Sequence, residues 1–414
     1  MLLPIPLLFN LLASLLSLAV FIAAIPLVYR AWRNFRRICS TRPVYSERVE
    51  ARTNGAVHTE VVHETIHPPR SQEAMADPAV WVPLVAGLAL LSFTFVGREI
   101  VSLGFPSGKN EPKEVHSQTV QYVTTVEGGR IRAEVFGPAD GPTLVFTHGW
   151  GTSSAEWYYA KQHLSDRFRL IFWDLPGLGD SSQPSNRDYA LESMARDLDL
   201  VLGLAKGKPV ILVGHSIGGM INLTFCRLFP EKLGHQVLGI TQFDTSYTNP
   251  VTTTKDASLS RALQKPVAEP LLNAMIWFSP VFRVMNWLSY RNGVSQIYNA
   301  KSAFAGSETW GQVDFISSYS YKSSPAVVAR GTLAMFHWDA KPVLTHVPVP
   351  VLIVVGQQDT TTLPSASEFM QATLPHSNLE IVNPSAHYGL LEQNDRYDAE
   401  LARFAQATMK ARNP

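Results

Sequence analysis

Gly214-His215-Ser216-Ile217-Gly218 decides the reading of this chain, because of what flanks it. Pro209-Val210-Ile211-Leu212-Val213 precedes it as a β-branched apolar run. Gly219 to Arg227 follows it with helical character, Cys226 included. Strand, G-x-S-x-G and helix, in that order, form the setting in which a sharp turn lifts a serine hydroxyl clear of a sheet edge. Glycines at 214 and 218 leave space where a Cβ would strike the neighbouring strand and helix. Ser216 is therefore the candidate nucleophile.

A serine hydroxyl needs a base to take its proton and a third group to orient that base. Val351-Leu352-Ile353-Val354-Val355 is a second buried-type strand, running into Gly356-Gln357-Gln358-Asp359. Leu379-Glu380-Ile381-Val382 is a further strand, followed by Asn383-Pro384-Ser385-Ala386-His387. Ser216, Asp359 and His387 each follow the C-terminal end of a strand, the edge at which open parallel sheets place their chemistry. His387 is the candidate base and Asp359 the candidate acid. Asp244, in Gln242-Phe243-Asp244-Thr245 after the preceding strand, is the alternative acid.

Thr143 to Thr147 is a strand ending in His148-Gly149-Trp150-Gly151. The backbone N–H groups of Trp150 and Ile217 are the candidate oxyanion hole, each such donor being worth about 3–4 kcal/mol of barrier. Ile171-Phe172-Trp173-Asp174 leads into the glycine-rich loop Leu175-Pro176-Gly177-Leu178-Gly179-Asp180-Ser181. His148, Asp174 and Gly177 are read as loop-shaping residues, His215 as a packing or hydrogen-bonding neighbour of the nucleophile, and Asp339 as a surface or hinge group.

Taken together, the H-G-W-G, D-L-P-G-L-G-D-S, G-H-S-I-G-G, G-Q-Q-D and S-A-H segments make residues from about 118 to 410 resemble the α/β-hydrolase superfamily. The serine, acid, histidine order is the one that superfamily uses. The resemblance implies an α/β fold with a mostly parallel eight-stranded sheet, flanking helices and a helical cap. It further implies serine-hydrolase chemistry on carboxylic esters, with no metal or organic cofactor. Thioesterases, amidases, C–C bond hydrolases and cofactor-free haloperoxidases share the same triad and remain alternatives, with a non-catalytic binding protein on this fold as a remote one. Relatives with aspartate at the elbow are disfavoured by Ser216.

The 414 residues carry a net charge of +1, which gives no reason to expect a nucleic-acid partner. Two cysteines, Cys39 and Cys226, fall in different segments, so no disulfide is expected. Mean hydropathy lies slightly above zero, and the excess sits at the N-terminus. Leu2 to Tyr29 has no charged side chain, and Arg30, Arg33, Arg36 and Arg37 follow. A long apolar core with its charge behind it reads as a retained transmembrane anchor rather than a cleaved signal peptide, whose basic segment comes first.

Pro78 to Gly97, bracketed by Asp77 and Arg98, is a second membrane-length run. It is less apolar and carries Pro83 and Gly87, so a helix in the interface or packed on the enzyme is the alternative to a span. In the polar connector 30–77 arginines outnumber acids, which places the connector in the cytoplasm by the positive-inside tendency. The catalytic part then lies on the opposite side if both runs span, and in the cytoplasm if only the first does. His63-Glu64-Thr65-Ile66-His67 matches a zinc motif. Its β-branched surroundings and Pro68-Pro69 deny it the helix that zinc binding needs, and it is read as a chance match.

The expected organisation is an anchor over 1–29, the connector over 30–77, a second membrane-length helix over 78–97 and a linker over 98–117. A hydrolase core over 118–245 and 346–414 then encloses a cap over 246–345. The cap is rich in aromatics, among them Trp277, Phe278, Phe282, Tyr290, Tyr298 and Tyr319. Most are expected to pack the cap itself, and a minority to line an apolar pocket facing Ser216. An apolar lid on a tethered enzyme suits a small-molecule apolar ester, lipid-like or long in its acyl chain, with membrane lipid as the other partner.

Overall fold

The computed structural model describes residues 4–40, 71–126 and 128–412. The H-E-x-x-H segment lies outside the described residues. Two compact units are present, Met1–Ser14 with Arg98–Pro414, and Leu15–Gly97.

The larger unit is built on an eight-stranded sheet: β1 (Thr119–Thr124), β2 (Arg130–Phe136), β3 (Thr143–Thr147), β4 (Arg169–Trp173), β5 (Val210–His215), β6 (Val237–Phe243), β7 (Val351–Gly356) and β8 (Ser377–Val382). Their order across the sheet is β1-β2-β4-β3-β5-β6-β7-β8. β2 pairs antiparallel with β1 and β4, and every other pairing is parallel. β3, β5, β6 and β7 are buried along their whole length, as strands covered on both faces must be. Their side chains alternate between two cores. Val145, Leu212 and Ile353 pack on one face, and Phe146, Val213 and Val354 on the other.

Outside the sheet, the longer helices are α1 (Pro4–Cys39), α2 (Pro78–Ser102), α3 (Tyr158–Leu164), α4 (Leu191–Leu202), α5 (Ile217–Leu228) and, in the cap, α6 (Ala257–Leu263), α7 (Glu269–Trp277), α8 (Ser279–Arg291), α9 (Val294–Ala303), α10 (Trp310–Lys322) and α11 (Pro325–Met335). After β7 come α12 (Pro364–Thr373) and α13 (Asn394–Arg412). α4 illustrates the packing logic: Met194, Leu198, Val201 and Leu202 repeat at helical spacing and are fully buried. Each such side chain contributes about 1.5–3 kcal/mol on burial. Cys226 is buried in α5 behind the elbow, where burial pushes its thiol up to about 12.

Within the smaller unit α1 and α2 lie side by side. Phe21 meets Phe95 edge-to-face at 6.1 Å, and Asn34 Nδ2 donates to Ala79 O at 2.7 Å. At Gly87 a Cβ would sit 2.8 Å from Val28 Cγ2, so glycine allows the two backbones their close approach. At about 1.5 Å per residue, the 36 residues of α1 and 25 of α2 exceed the ~30 Å of a hydrocarbon layer. Both helices run past the uncharged stretches, α1 through its arginines to Cys39 and α2 to Ser102.

Candidate active site

The turn between β5 and α5 holds Ser216 at φ 53°, ψ −117°, a backbone conformation that costs a residue with a Cβ about 1–3 kcal/mol. Surrounding contacts enforce it. A Cβ at Gly214 would lie 2.4 Å from the Gly218 carbonyl carbon, and one at Gly218 would lie 2.2 Å from Thr147 O. Ser216 N–H donates to Phe243 O at 2.9 Å, and Thr245 Oγ1 donates to Ser216 O at 2.5 Å.

The chain brings His387 and Asp359 to this turn from the ends of β8 and β7. His387 Nε2 lies 3.2 Å from Ser216 Oγ, and His387 Nδ1 lies 2.8 Å from Asp359 Oδ2. A carboxylate accepts, so Nδ1 carries the proton and Nε2 is left as the acceptor facing the hydroxyl. Asp359 is itself held by N–H donors from Thr361 and Thr362 and by the Thr362 hydroxyl. Burial pushes the His387 imidazole below its ordinary value, with the Asp359 charge pulling the other way.

Asp244 is placed elsewhere. Its carboxyl accepts from Gly356 N–H and pairs with Tyr397 Oη, both at 2.8 Å. It braces the end of β7 from below while Asp359 meets the imidazole. Burial first, and the Asp359 charge second, hold the Asp244 carboxyl well above the usual carboxylate range.

Ile217 opens α5, where an N–H has no acceptor inside the helix. Trp150 stands on the loop after β3, and the cap fixes that loop. Trp150 Nε1–H donates to Val328 O at 2.8 Å, and Ser323 Oγ donates to Gly151 O at 2.6 Å. A Cβ at Gly331 would lie 2.0 Å from the indole, so only glycine leaves room for the ring against α11. His148 and Asp174 shape loops. Leu175 N–H donates to His148 Nε2 at 2.9 Å, and Asp174 accepts from the N–H groups of Ser154 and Asp180. Asp339 is exposed and caps Lys341 N.

Sequence reasoning missed Glu156. This fully buried carboxylate accepts from Gly149 N–H at 2.7 Å, from the Thr152 hydroxyl at 2.5 Å and from His215 Nδ1 at 3.1 Å. His215 in turn donates through Nε2 to His387 O at 2.9 Å. One carboxylate thus ties together the loop of Trp150, the elbow of Ser216 and the backbone of His387. Both His215 nitrogens face acceptors, Glu156 Oε1 on one side and the His387 carbonyl on the other. Burial would raise the Glu156 carboxyl, but the His215 ring outweighs it and the net direction is down. The signal available beforehand was an acid inside the apolar stretch Ala155-Glu156-Trp157-Tyr158.

A cavity of about 210 Å³ leads from His387 and Trp150 into the cap, with Phe282, Tyr298 and Tyr319 on its walls. Tyr290, Phe304 and Phe315 are buried instead, Phe304 and Phe315 in the core shared with the sheet and Tyr290 against Tyr321.

Residues 142–393, more than half of the chain, match the alpha/beta hydrolase fold family. The chain is 24% identical over 284 residues to 3-oxoadipate enol-lactonase 2 of Acinetobacter baylyi, covering 68% of this chain and 96% of that protein. It is 25% identical over 266 residues to a pimeloyl-[acyl-carrier protein] methyl ester esterase of Nitrosomonas europaea, covering 62% and 93%. Among solved structures, an esterase from Exiguobacterium antarcticum superposes with a TM-score of 0.57 at 22% identity, over 70% of this chain and all of the other. A bacterial membrane phospholipase A superposes at 0.56 with 19% identity, over 82% and 96%.

Proposed function

The chain belongs to the alpha/beta hydrolase fold family, and from that premise we propose that it is a membrane-anchored serine hydrolase cleaving carboxylic esters through Ser216, His387 and Asp359. Its relatives and structural neighbours include esterases and a lactonase, and an ester-cleaving hydrolase is the activity they support. The single observation carrying the triad is the continuous hydrogen-bonded line from Ser216 Oγ through the imidazole to Asp359.

In this reading His387 Nε2 takes the Ser216 proton as Oγ attacks the ester carbonyl carbon. The oxyanion of the tetrahedral intermediate is held by the N–H groups of Trp150 and Ile217. Collapse breaks the bond to the alcohol oxygen, which leaves with the proton from His387. Water then gives a proton to His387, attacks the acyl-enzyme and releases the carboxylic acid with Ser216 restored. Asp359 keeps Nδ1 protonated throughout.

The anchor rests on α1 and α2, two helices long and apolar enough to cross a bilayer. An apolar ester, lipid-like or long-chained, is the substrate class that suits a cavity walled by aromatic rings. A panel of p-nitrophenyl esters from acetate to palmitate on the detergent-solubilised protein tests the assignment. Turnover that rises with chain length supports it, and no turnover on any ester points to thioester, amide or C–C substrates.

A further inference from the structure

The cap does not bury all of its aromatics. Trp277 is 82% exposed and Phe278 60%, and from there an outward stripe continues at helical spacing through Val281, Val284 and Trp287 of α8. A soluble helix turns this face inward, whereas α8 also buries Met285 and Leu288 on its inner side. The only charges of α8 are Arg283 and Arg291, both basic.

What covers this stripe is indicated by the chain segments that end on the cap. Leu7 of α1 is buried in a cluster with Leu272 and Met275 of α7, with Phe282 of α8 against it. Leu7 and Leu11 also line the cavity that reaches His387. Phe9 and Leu12, on the same turns, are exposed. Leu7 belongs to the uncharged run that continues to Tyr29. The second uncharged run closes at Arg98, whose guanidinium is paired with Asp314 of α10 at 2.6 Å and stacks over Tyr290 and Trp310. The chain thus enters the first apolar run and leaves the second in contact with the cap. An apolar face carrying exposed aromatic rings has the chemistry of a membrane–water interface.

We propose that the outward face of α7 and α8, with Phe9 and Leu12, is seated in the bilayer, and that the cavity between α1 and the cap takes an amphiphilic ester from that leaflet, its acyl chain leading. The occupant is the lipid surface; a second copy of the chain or the connector 41–70 is an alternative outcome. The proposal rests on the esterase and anchor readings above, and the test separates it from the esterase reading.

Full-length protein carrying Cys39→Ser and Val281→Cys is labelled at position 281 with the environment-sensitive fluorophore NBD and placed in phosphatidylcholine vesicles. Cys226 is buried and does not react. Val126→Cys, in a turn of the sheet edge that is 85% exposed, is the aqueous control. Quenching at 281 by lipids brominated along the acyl chain, with none at 126, is expected. Quenching by aqueous iodide equal at both sites overturns the proposal. So does protection from iodide without bromolipid quenching, which would mean a protein covers the face. In a second arm, Trp277→Asp with Phe278→Asp is expected to leave p-nitrophenyl butyrate turnover within about twofold and to lower hydrolysis of a vesicle-borne palmitoyl ester at least tenfold. An equal effect on both substrates contradicts it. If the unsubstituted protein turns over neither substrate, the esterase reading fails while the bromolipid result still decides the docking.

Discussion

In the proposed triad His387 acts as base in its neutral form, and its protonation would set the acid side of the rate profile. Burial lowers its pKa from the ordinary histidine value of about 6.5, and Asp359 opposes that shift. Activity is therefore present above the lowered pKa and lost as pH falls through it. The acid limb of kcat/KM on a short ester is expected below about 6.5. Asp359→Asn removes the opposing charge and the hold on the tautomer. It is expected to move that limb lower still and to reduce kcat about 10³–10⁴-fold, as in serine enzymes deprived of this acid. A limb above pH 7 in the unsubstituted protein, or an Asp359→Asn variant with near-normal kcat, contradicts these roles.

Three loops on three different strands must agree in position for the proposed chemistry to run, and Glu156 is the group they share. Glu156→Gln keeps the shape but removes the charge that His215 faces, and a hydrogen bond to a charged group is worth about 1.5–3 kcal/mol. A lower melting temperature and a fall in kcat of about 10²-fold, with KM nearly unchanged, are expected, since a 1 Å misplacement costs about that much. A variant that melts earlier yet keeps its kcat would make Glu156 a purely structural residue. This element was hard to read in the sequence for a physical reason. Strands β3, β5 and β7 announce themselves as short apolar runs rich in β-branched residues, and G-H-S-I-G names its own turn. Glu156 acquires meaning only when Gly149, His215 and His387 fold around it. Asp244 stood in the chain beside a plausible role for the same reason that Asp359 did, at the end of a buried strand. Only the partners, Gly356 and Tyr397 for one and His387 for the other, tell the two acids apart.

For the whole molecule, the mostly parallel eight-stranded sheet with its cap was legible because each strand run and each glycine-rich loop was local. Which cap rings face the cavity and which face outward was not, since α7 and α8 are apolar on more than one side. The proposed tether makes its own prediction: the protein is expected to stay in the membrane pellet through alkaline carbonate and to be released by detergent. Release by carbonate alone contradicts a spanning anchor. Protease protection of the C-terminal unit in sealed vesicles then assigns its side. The central claim is that Ser216 is a nucleophile raised by His387, and active-site labelling with a fluorophosphonate probe tests it most directly. Covalent labelling of the unsubstituted chain is expected, and none of Ser216→Ala with the fold intact by circular dichroism. Undiminished labelling of Ser216→Ala, or a folded native chain that the probe never marks, would contradict it.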